Sequence, residues 1–326
     1  MNAPALACRV RAVGTGAADL QAVAALHGRA AVPPADPGEH LLLAEQPGPE
    51  GALALATLRL RPAIGLVLPR VSYHVGCVVH AAPELGLFHR QRTLLLGNDH
   101  TGASELADIA WRRDEVSLPE RAAALQALVG AALLVVARER ARHADRLVAE
   151  LPGPRDAAGC SPFWDGLGRH FYAGDPAAAR AEHGADWRSH VATLLPRHPI
   201  YTSFLPPGAQ AAIAQVDAGA LLLREVLEAA GLRYGHHVNV EDGGPLLEVE
   251  TDALAAVTTA RRWLPAPEGS PAPAGRRPAA TMVLAEHGAG WTALRTAAAP
   301  AGARLWLAHQ PPGTTGVWAA LPVAED

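Results

Sequence analysis

The sequence contains no lysine, and arginine carries all of its positive charge. With alanine, glycine and proline abundant, this reads as a compositional habit and points to no mechanism. Cysteine is scarce: Cys8, Cys77 and Cys160 are the three present, and none has metal or redox spacing. An odd, sparse set suits a reducing cytoplasm. Net charge is only −4, which argues against nucleic acid or an acidic membrane surface as a partner. No basic start leads into an apolar core, so no signal peptide is expected. The apolar run at residues 122–137 is shorter than the roughly 20 residues a bilayer span needs, and Gln126 interrupts it. A helix buried against a sheet is the expectation there. What is present is ample hydrophobic content, 49% of 326 residues, enough for one large globular domain or two smaller ones.

Residues 93–110, TLLLGNDHTGASELADIA, are the most informative stretch. An apolar run ends in Gly97-Asn98-Asp99, a polar turn follows, and a second strand-like segment covers residues 104–110. The pattern predicts two buried strands joined as a hairpin, with a turn loaded with donors and acceptors.

Around it, strands are expected at residues 8–13, 40–45, 52–61, 73–79, 146–151, 234–240 and 246–250. Helices are expected at 17–27, 118–143, 161–172, most of 176–195, and 218–230. The helix from Leu118 is the best marked, because Ser117 and Glu120 form a capping-box pattern and cations fill its last turns. Phe163, Leu167 and Phe171 form an i, i+4, i+8 stripe, taken as core. Residues 264–280, LPAPEGSPAPAGRRPAA, have the composition of a linker, and short strands with Gly/Pro turns follow. The expected division is 1–263, a linker at 264–280, and a small β domain at 281–326.

Four stretches, NDHTGASEL (98–106), SPFWDGLGRHFY (161–172), LLPRHPIYTSFL (194–205) and EDGGPLLE (241–248), with YHVGCVVHAAPELGL (73–87) upstream, resemble the arginine N-succinyltransferases. The resemblance runs from about residue 73 to 257. It implies a mixed α/β, GNAT-like acyltransferase fold with a small C-terminal β domain. It also implies a cytoplasmic transferase of arginine catabolism that moves succinyl from succinyl-CoA to the α-amino group of arginine or a related amino acid. Expected partners are that amino acid and the acyl-CoA, with a homo- or hetero-oligomer open, and no metal is expected. The chemistry needs an amine freed of its proton, donors for the oxyanion, and carboxylates for the substrate's cations. Asp99, Glu105 and Asp242, with Glu248, lie in matching motifs and are the substrate-binding candidates. His100 is a catalytic candidate, and His198 reads as a turn histidine.

The sequence departs from the family in several places. The catalytic histidine of the family follows Gln-Val, whereas here Gln215-Val216 leads to Asp217. Asp217 inherits the catalytic candidacy by position, but it stands where a helix N-cap belongs, and a capping role is favoured. An ordinary carboxylate, titrating near ~4, is a weak base for an ammonium. The loop before the helix at Leu118 lacks glycine, and Pro119 removes one N–H, so diphosphate binding would fall partly to Arg112 and Arg113. The family's succinyl-CoA contact, a leucine, aligns with Ile109. The interval 14–39 is short, and Asn239 and Glu241 replace the family's acid and aromatic. These departures keep two alternatives open: a non-catalytic partner subunit or regulator, and an N-acyltransferase for another acyl-CoA and acceptor.

Overall fold

The structure is a computed structural model that describes residues 8–48, 51–184, 187–273, 277–288 and 290–321. In chain order, Arg9–Ala12 (β1) is followed by the helix Ala17–His27 (α1) and by strands His40–Gln46 (β2), Leu53–Arg61 (β3), Ser72–Ala82 (β4), Leu87–Gly97 (β5) and Ser104–Trp111 (β6). The long helix Leu118–Arg138 (α2) leads to Arg146–Glu150 (β7). Four short helices come next: Pro162–Gly166 (α3), Pro176–His183 (α4), Trp187–Ala192 (α5) and, after the two-residue strand Ile200–Tyr201 (β8), Pro207–Ala212 (α6). Leu221–Ala229 (α7), Arg233–Val238 (β9), Pro245–Glu250 (β10) and Ala255–Thr258 (α8) complete the first part. The last strands are Ala260–Pro265 (β11), Ala279–His287 (β12), Gly290–Ala301 (β13), Arg304–Leu307 (β14) and Gly316–Ala320 (β15).

The main sheet runs β1-β2-β3-β6-β7-β10-β9-β4-β5-β8, antiparallel except for the β6–β7 pair. β2 reads HLLLAEQ because both of its faces are covered. Leu42 and Ala44 pack towards α2, while Leu41 and Leu43 pack with Val23 of α1. The last five strands close into a barrel, β12-β15-β11-β14-β13, with β12 and β13 paired to complete the ring. β13 also pairs with β1, so the sheet continues into the barrel. Leu264 and Pro265, the first residues of the linker-like stretch, pair with Arg304 and Leu305, and Ala266 donates to Leu305 O.

α2 is apolar nearly all round because it has neighbours on all sides: β2 and β3, the barrel strand β12, α7 and α8. Its length and composition would allow it to cross a bilayer, but here it is a core helix. Its capping box forms as the sequence predicts, with Ser117 Oγ accepting from Glu120 N and the Glu120 carboxylate accepting from Ser117 N at 2.9 Å. Gly130 lets the barrel come close, since a Cβ there would lie 3.2 Å from Met282 Cγ.

Two expectations need correction. The segments either side of Asn98–Ala103 are both strands, but they do not form a hairpin. β5 pairs with β4 and β8, whereas β6 pairs with β3 and β7. The loop is instead tied to Ile64, whose N–H donates to Ala103 O and whose carbonyl accepts from Gly102 N. That docking carries the chain across to the sheet's centre. The helix expected over 161–172 stops at Gly166, and Leu167 leaves helical geometry (φ −133°, ψ −68°). Phe163 and Leu167 are buried, but the stripe is lost before Phe171, which is exposed.

Leu128 of α2 is fully buried, so Leu128→Ala should cost about 2–5 kcal/mol in urea denaturation. Leu118→Ala, at an exposed position of the first turn, should stay within about 0.5 kcal/mol of the parent.

Candidate functional site

β6 and β7 form the only parallel pair of the main sheet among the described residues, and the pair is short. Its ladder joins Ser104, Glu105 and Leu106 to Leu147, Val148 and Ala149. Beyond Leu106 the partners separate. β6 keeps pairing with β3 as far as Trp111, while β7 pairs with β10. A register shift in the β3–β6 ladder accompanies a positive φ of 47° at Asp108. This is a bulge, and it bends β6 away at the point of separation. The Asp108 carboxylate accepts from Arg59 Nε (3.1 Å), Arg29 Nη2 (3.2 Å) and Arg61 Nη2 (3.4 Å). Burial alone would raise its pKa, but these arginines outweigh burial and hold it below the usual range. Ile109, half-buried, packs against the α2 core.

The C-terminal end of β6 leads to a groove of about 360 Å³ at the start of α2, lined by Trp111, Arg113, Leu118, Arg121, Gly219 and Leu222 among others. Arg113 lies over the Trp111 ring, 5.2 Å from its centroid. Arg112 is turned away, donating from Nε to Ala54 O at 3.0 Å. Asp217 directly precedes Ala218 and Gly219 of the groove wall. Its Oδ1 accepts from Gly219 N at 2.9 Å, which caps a single 3₁₀ turn, and its own N–H donates to Pro152 O just beyond β7. A Cβ on Gly219 would fall 2.7 Å from Arg113 Nη1 and 3.1 Å from Asp217 Oδ1, so glycine lets both lie against the turn.

Away from the α2 core, a line of alternating charges crosses the sheet. Glu105 accepts from Arg61 and Arg70 at 2.8 and 2.9 Å, and Arg70 continues to Glu150 at 2.6 Å. Glu150 takes both prongs of Arg188 (2.7 and 3.0 Å), and Arg188 and Arg180 meet on Glu241. Burial opposes ionisation of Glu150, but Arg188 and Arg70 prevail and hold it at about 2, against an ordinary 4.5. Asp242 is a turn organiser: its Oδ1 accepts from Gly153 N, Gly244 N and Asn239 Nδ2. Burial pushes its pKa up in spite of those bonds.

At the other end of β6, His100 is fully buried, with Nε2 2.8 Å from Glu248 Oε2. Its ring meets that of His237 edge-on at 4.5 Å, and His237 Nε2 lies 3.1 Å from Asp99 Oδ2. Burial lowers the His100 pKa, with Glu248 offsetting part of the shift.

The expected site residues therefore fall into three groups. Arg113, Asp217 and Ile109 attend the α2 end of β6. Glu105 and Asp242 are already engaged by the protein's own arginines and backbone. Asp99 and His100 join Glu248 at the far end, so the two catalytic candidates, His100 and Asp217, sit at opposite ends of β6. His198 is exposed. Sequence reasoning did not pick out Arg70, Glu150 and Arg188, whose pairing spans distant elements and leaves no local pattern. It also passed over His237, although His236-His237 stands out in a short strand.

Residues 40–256 match the family model described as arginine N-succinyltransferase beta subunit. An arginine N-succinyltransferase of Enterobacter sp. (strain 638) is 40% identical over 215 residues, covering 65% of this chain and 60% of that protein. One of Salmonella arizonae is 38% identical over the same shares. The match thus spans about 60% of the length of these curated relatives. Among solved structures, arginine/ornithine succinyltransferase subunit AI from Pseudomonas aeruginosa has a TM-score of 0.71 over 96% of this chain and 98% of that one, at 22% identity. At that identity the likeness establishes the mixed α/β, sheet-rich fold alone.

The low Glu150 pKa makes stability depend on pH. The folded value lies below the unfolded one, so its contribution is complete above pH 4.5 and is lost as pH falls towards 2. Denaturation midpoints should drop across that window, and Glu150→Gln should flatten the drop. An unchanged slope in the variant would remove Glu150 from this role.

Proposed function

The chain belongs to the arginine N-succinyltransferase family, and from that premise we propose that it transfers succinyl from succinyl-CoA to the α-amino group of arginine or a related amino acid, in the cytoplasm, as a step of arginine catabolism. The observation that carries the reading is the short parallel pair that opens beyond Leu106 and Ala149. A strand pair that splits at a bulge, followed by a helix starting at the opening, supports a GNAT-like arrangement. Backbone groups on the freed edge of β6 can take the pantetheine arm as an added strand would be taken. Ile109 then lies beside the thioester, and Arg113 and Arg121 in the groove face the diphosphate.

The reaction is an acyl transfer. The amine nitrogen, freed of its proton, attacks the thioester carbonyl. The C–S bond breaks, and the CoA sulfur leaves as a thiolate that takes up the proton the nitrogen releases as the amide forms. Backbone N–H groups of the open β6 edge supply donors for the oxyanion, and the groove fixes the donor substrate. Asp217 shapes the groove as a cap. Its carboxylate is committed to Gly219 N, so positioning and oxyanion stabilisation carry the rate.

One feature favours a second reading, a non-catalytic partner subunit. The capping box uses the N–H groups of Ser117 and Glu120 and places the Glu120 carboxylate at the helix start, where a diphosphate would sit. Incubation with succinyl-CoA and arginine, followed by mass spectrometry, separates the readings. The first predicts succinylated arginine and free CoA in equal amounts, while the second predicts neither. If transfer occurs, Asp217→Asn should leave turnover within about twofold, and Asp217→Ala should cost about 1 kcal/mol of stability. Ile109→Trp should abolish succinyl-CoA binding in calorimetry without unfolding the chain, and undiminished binding would contradict the thioester's place beside β6.

A further inference from the structure

Two histidines and the Glu248 carboxylate converge at the N-terminal end of β6, away from the groove at α2, with the more exposed Asp99 carboxylate at their margin. The ligand-capable atoms of His100, His237 and Glu248 all lie within 4.8 Å of one another. The Asp99 carboxylate stands 3.1 Å from His237 Nε2. The outer bond of His237 fixes which of its nitrogens carries the proton. His237 Nδ1 lies 2.8 Å from Gly235 O, and a carbonyl only accepts, so Nδ1 carries the proton. Ser72 Oγ stands 3.4 Å from His100 Nδ1 and, as a hydroxyl, can accept from it when Nε2 is the ligand. With Nδ1 protonated, the Nε2 of a neutral ring is a lone pair aimed at a carboxylate oxygen. At His237 and Asp99 this leaves two acceptors 3.1 Å apart, which repel each other unless a cation lies between them. This is the pattern of metal-ligating histidines, in which an outer partner on one nitrogen orients the other towards the ion.

The backbone is built around the same cluster. Between Tyr234 and His237 the β9–β10 ladder shifts register, and His236 has φ 59°, rare for a non-glycine residue. This bulge turns His237 inwards. A Cβ on Gly235 would fall 2.3 Å from Glu248 Cδ, so a larger residue would displace that carboxylate from its present place.

We propose that His100, His237, Glu248 and Asp99 bind one divalent transition-metal ion of the zinc class. Tetrahedral ligands at about 2.0–2.2 Å from zinc stand about 3.3 Å apart. The observed 2.8 and 3.1 Å contacts are both shorter than that spacing, so the ligands would open by a few tenths of an ångström to take the ion. All four ligands come from the protein, so the site is of the closed, structural kind. The ion would clamp the Asn98–Ala103 loop, which feeds β6, onto β9 and β10. Arg146, 3.6 Å from Glu248 Oε2, steadies that carboxylate from outside. The proposal is independent of succinyl transfer.

The test is titration of the chelator-treated full chain with Co²⁺ and Zn²⁺. Expected are one equivalent bound, the visible bands of tetrahedral Co²⁺ without thiolate charge-transfer absorption, and a metal-dependent rise in Tm. His237→Asn and Glu248→Gln should weaken binding at least about 100-fold, and Ser72→Ala about tenfold. Should a variant misfold, ¹⁵N shifts of the wild-type histidine rings identify the ligands directly, with His100 and His237 moving at Nε2. No stoichiometric binding, shifts confined to other histidines, or undiminished affinity in folded His237→Asn would overturn the site. The first of these results would mean that protons alone bridge the pairs.

Discussion

The separation of β6 from β7 is the constraint on which the rest depends. β6 is held by β3 along nearly its whole length, whereas β7 is held by β10, and the two strands share only three registered residues. They can part only because β6 is bent by the bulge at Asp108, and that bulge places a carboxylate among three arginines. The connection between two parallel strands must cross the sheet, and here α2 makes that crossing as the helix with the most buried residues among those described. Because α2 also touches the barrel, its position is set from two sides, and so is the groove at its first turn.

The second organising force is charge. With no lysine in the chain, each guanidinium brings a planar fork that can bridge two carboxylates. Arg70 joins Glu105 to Glu150, and Arg188 joins Glu150 to Glu241. The network links β6 and β7 to α5 and to the turn before β10. Buried pairs of this kind add little stability over apolar packing, but removing one member strands the other. Their effect is to hold each element at one position, and the region around the opening needs that.

What the sequence disclosed was local. The bounds of α1 were legible to the residue, and so were the start of α2 at Ser117 and the Asp217 cap, because caps and periodicity are written in neighbouring residues. Partnerships between distant segments were not. Residues 93–97 and 104–110 read as strands, but nothing in them says that β4 and β3, rather than each other, will be their neighbours. Phe171 fell outside the core because Gly168 packs against the Trp164 ring, where a Cβ would come within 2.2 Å, and the chain turns there instead of continuing as helix. The charged line from Arg61 to Arg180 stayed hidden for the same reason, since its members are far apart in sequence. His237 gains its meaning only from a bulge that brings it to His100.

Hydrogen exchange of the backbone amides, followed with and without succinyl-CoA, tests the central claim most directly. If the opened edge of β6 receives the acyl-CoA, amides of Ala107–Arg113 and of the first turn of α2 should slow on ligand addition, while the barrel and the Asn98–Ala103 loop stay as they were. Protection confined to other segments, or none at saturating succinyl-CoA, would contradict the account.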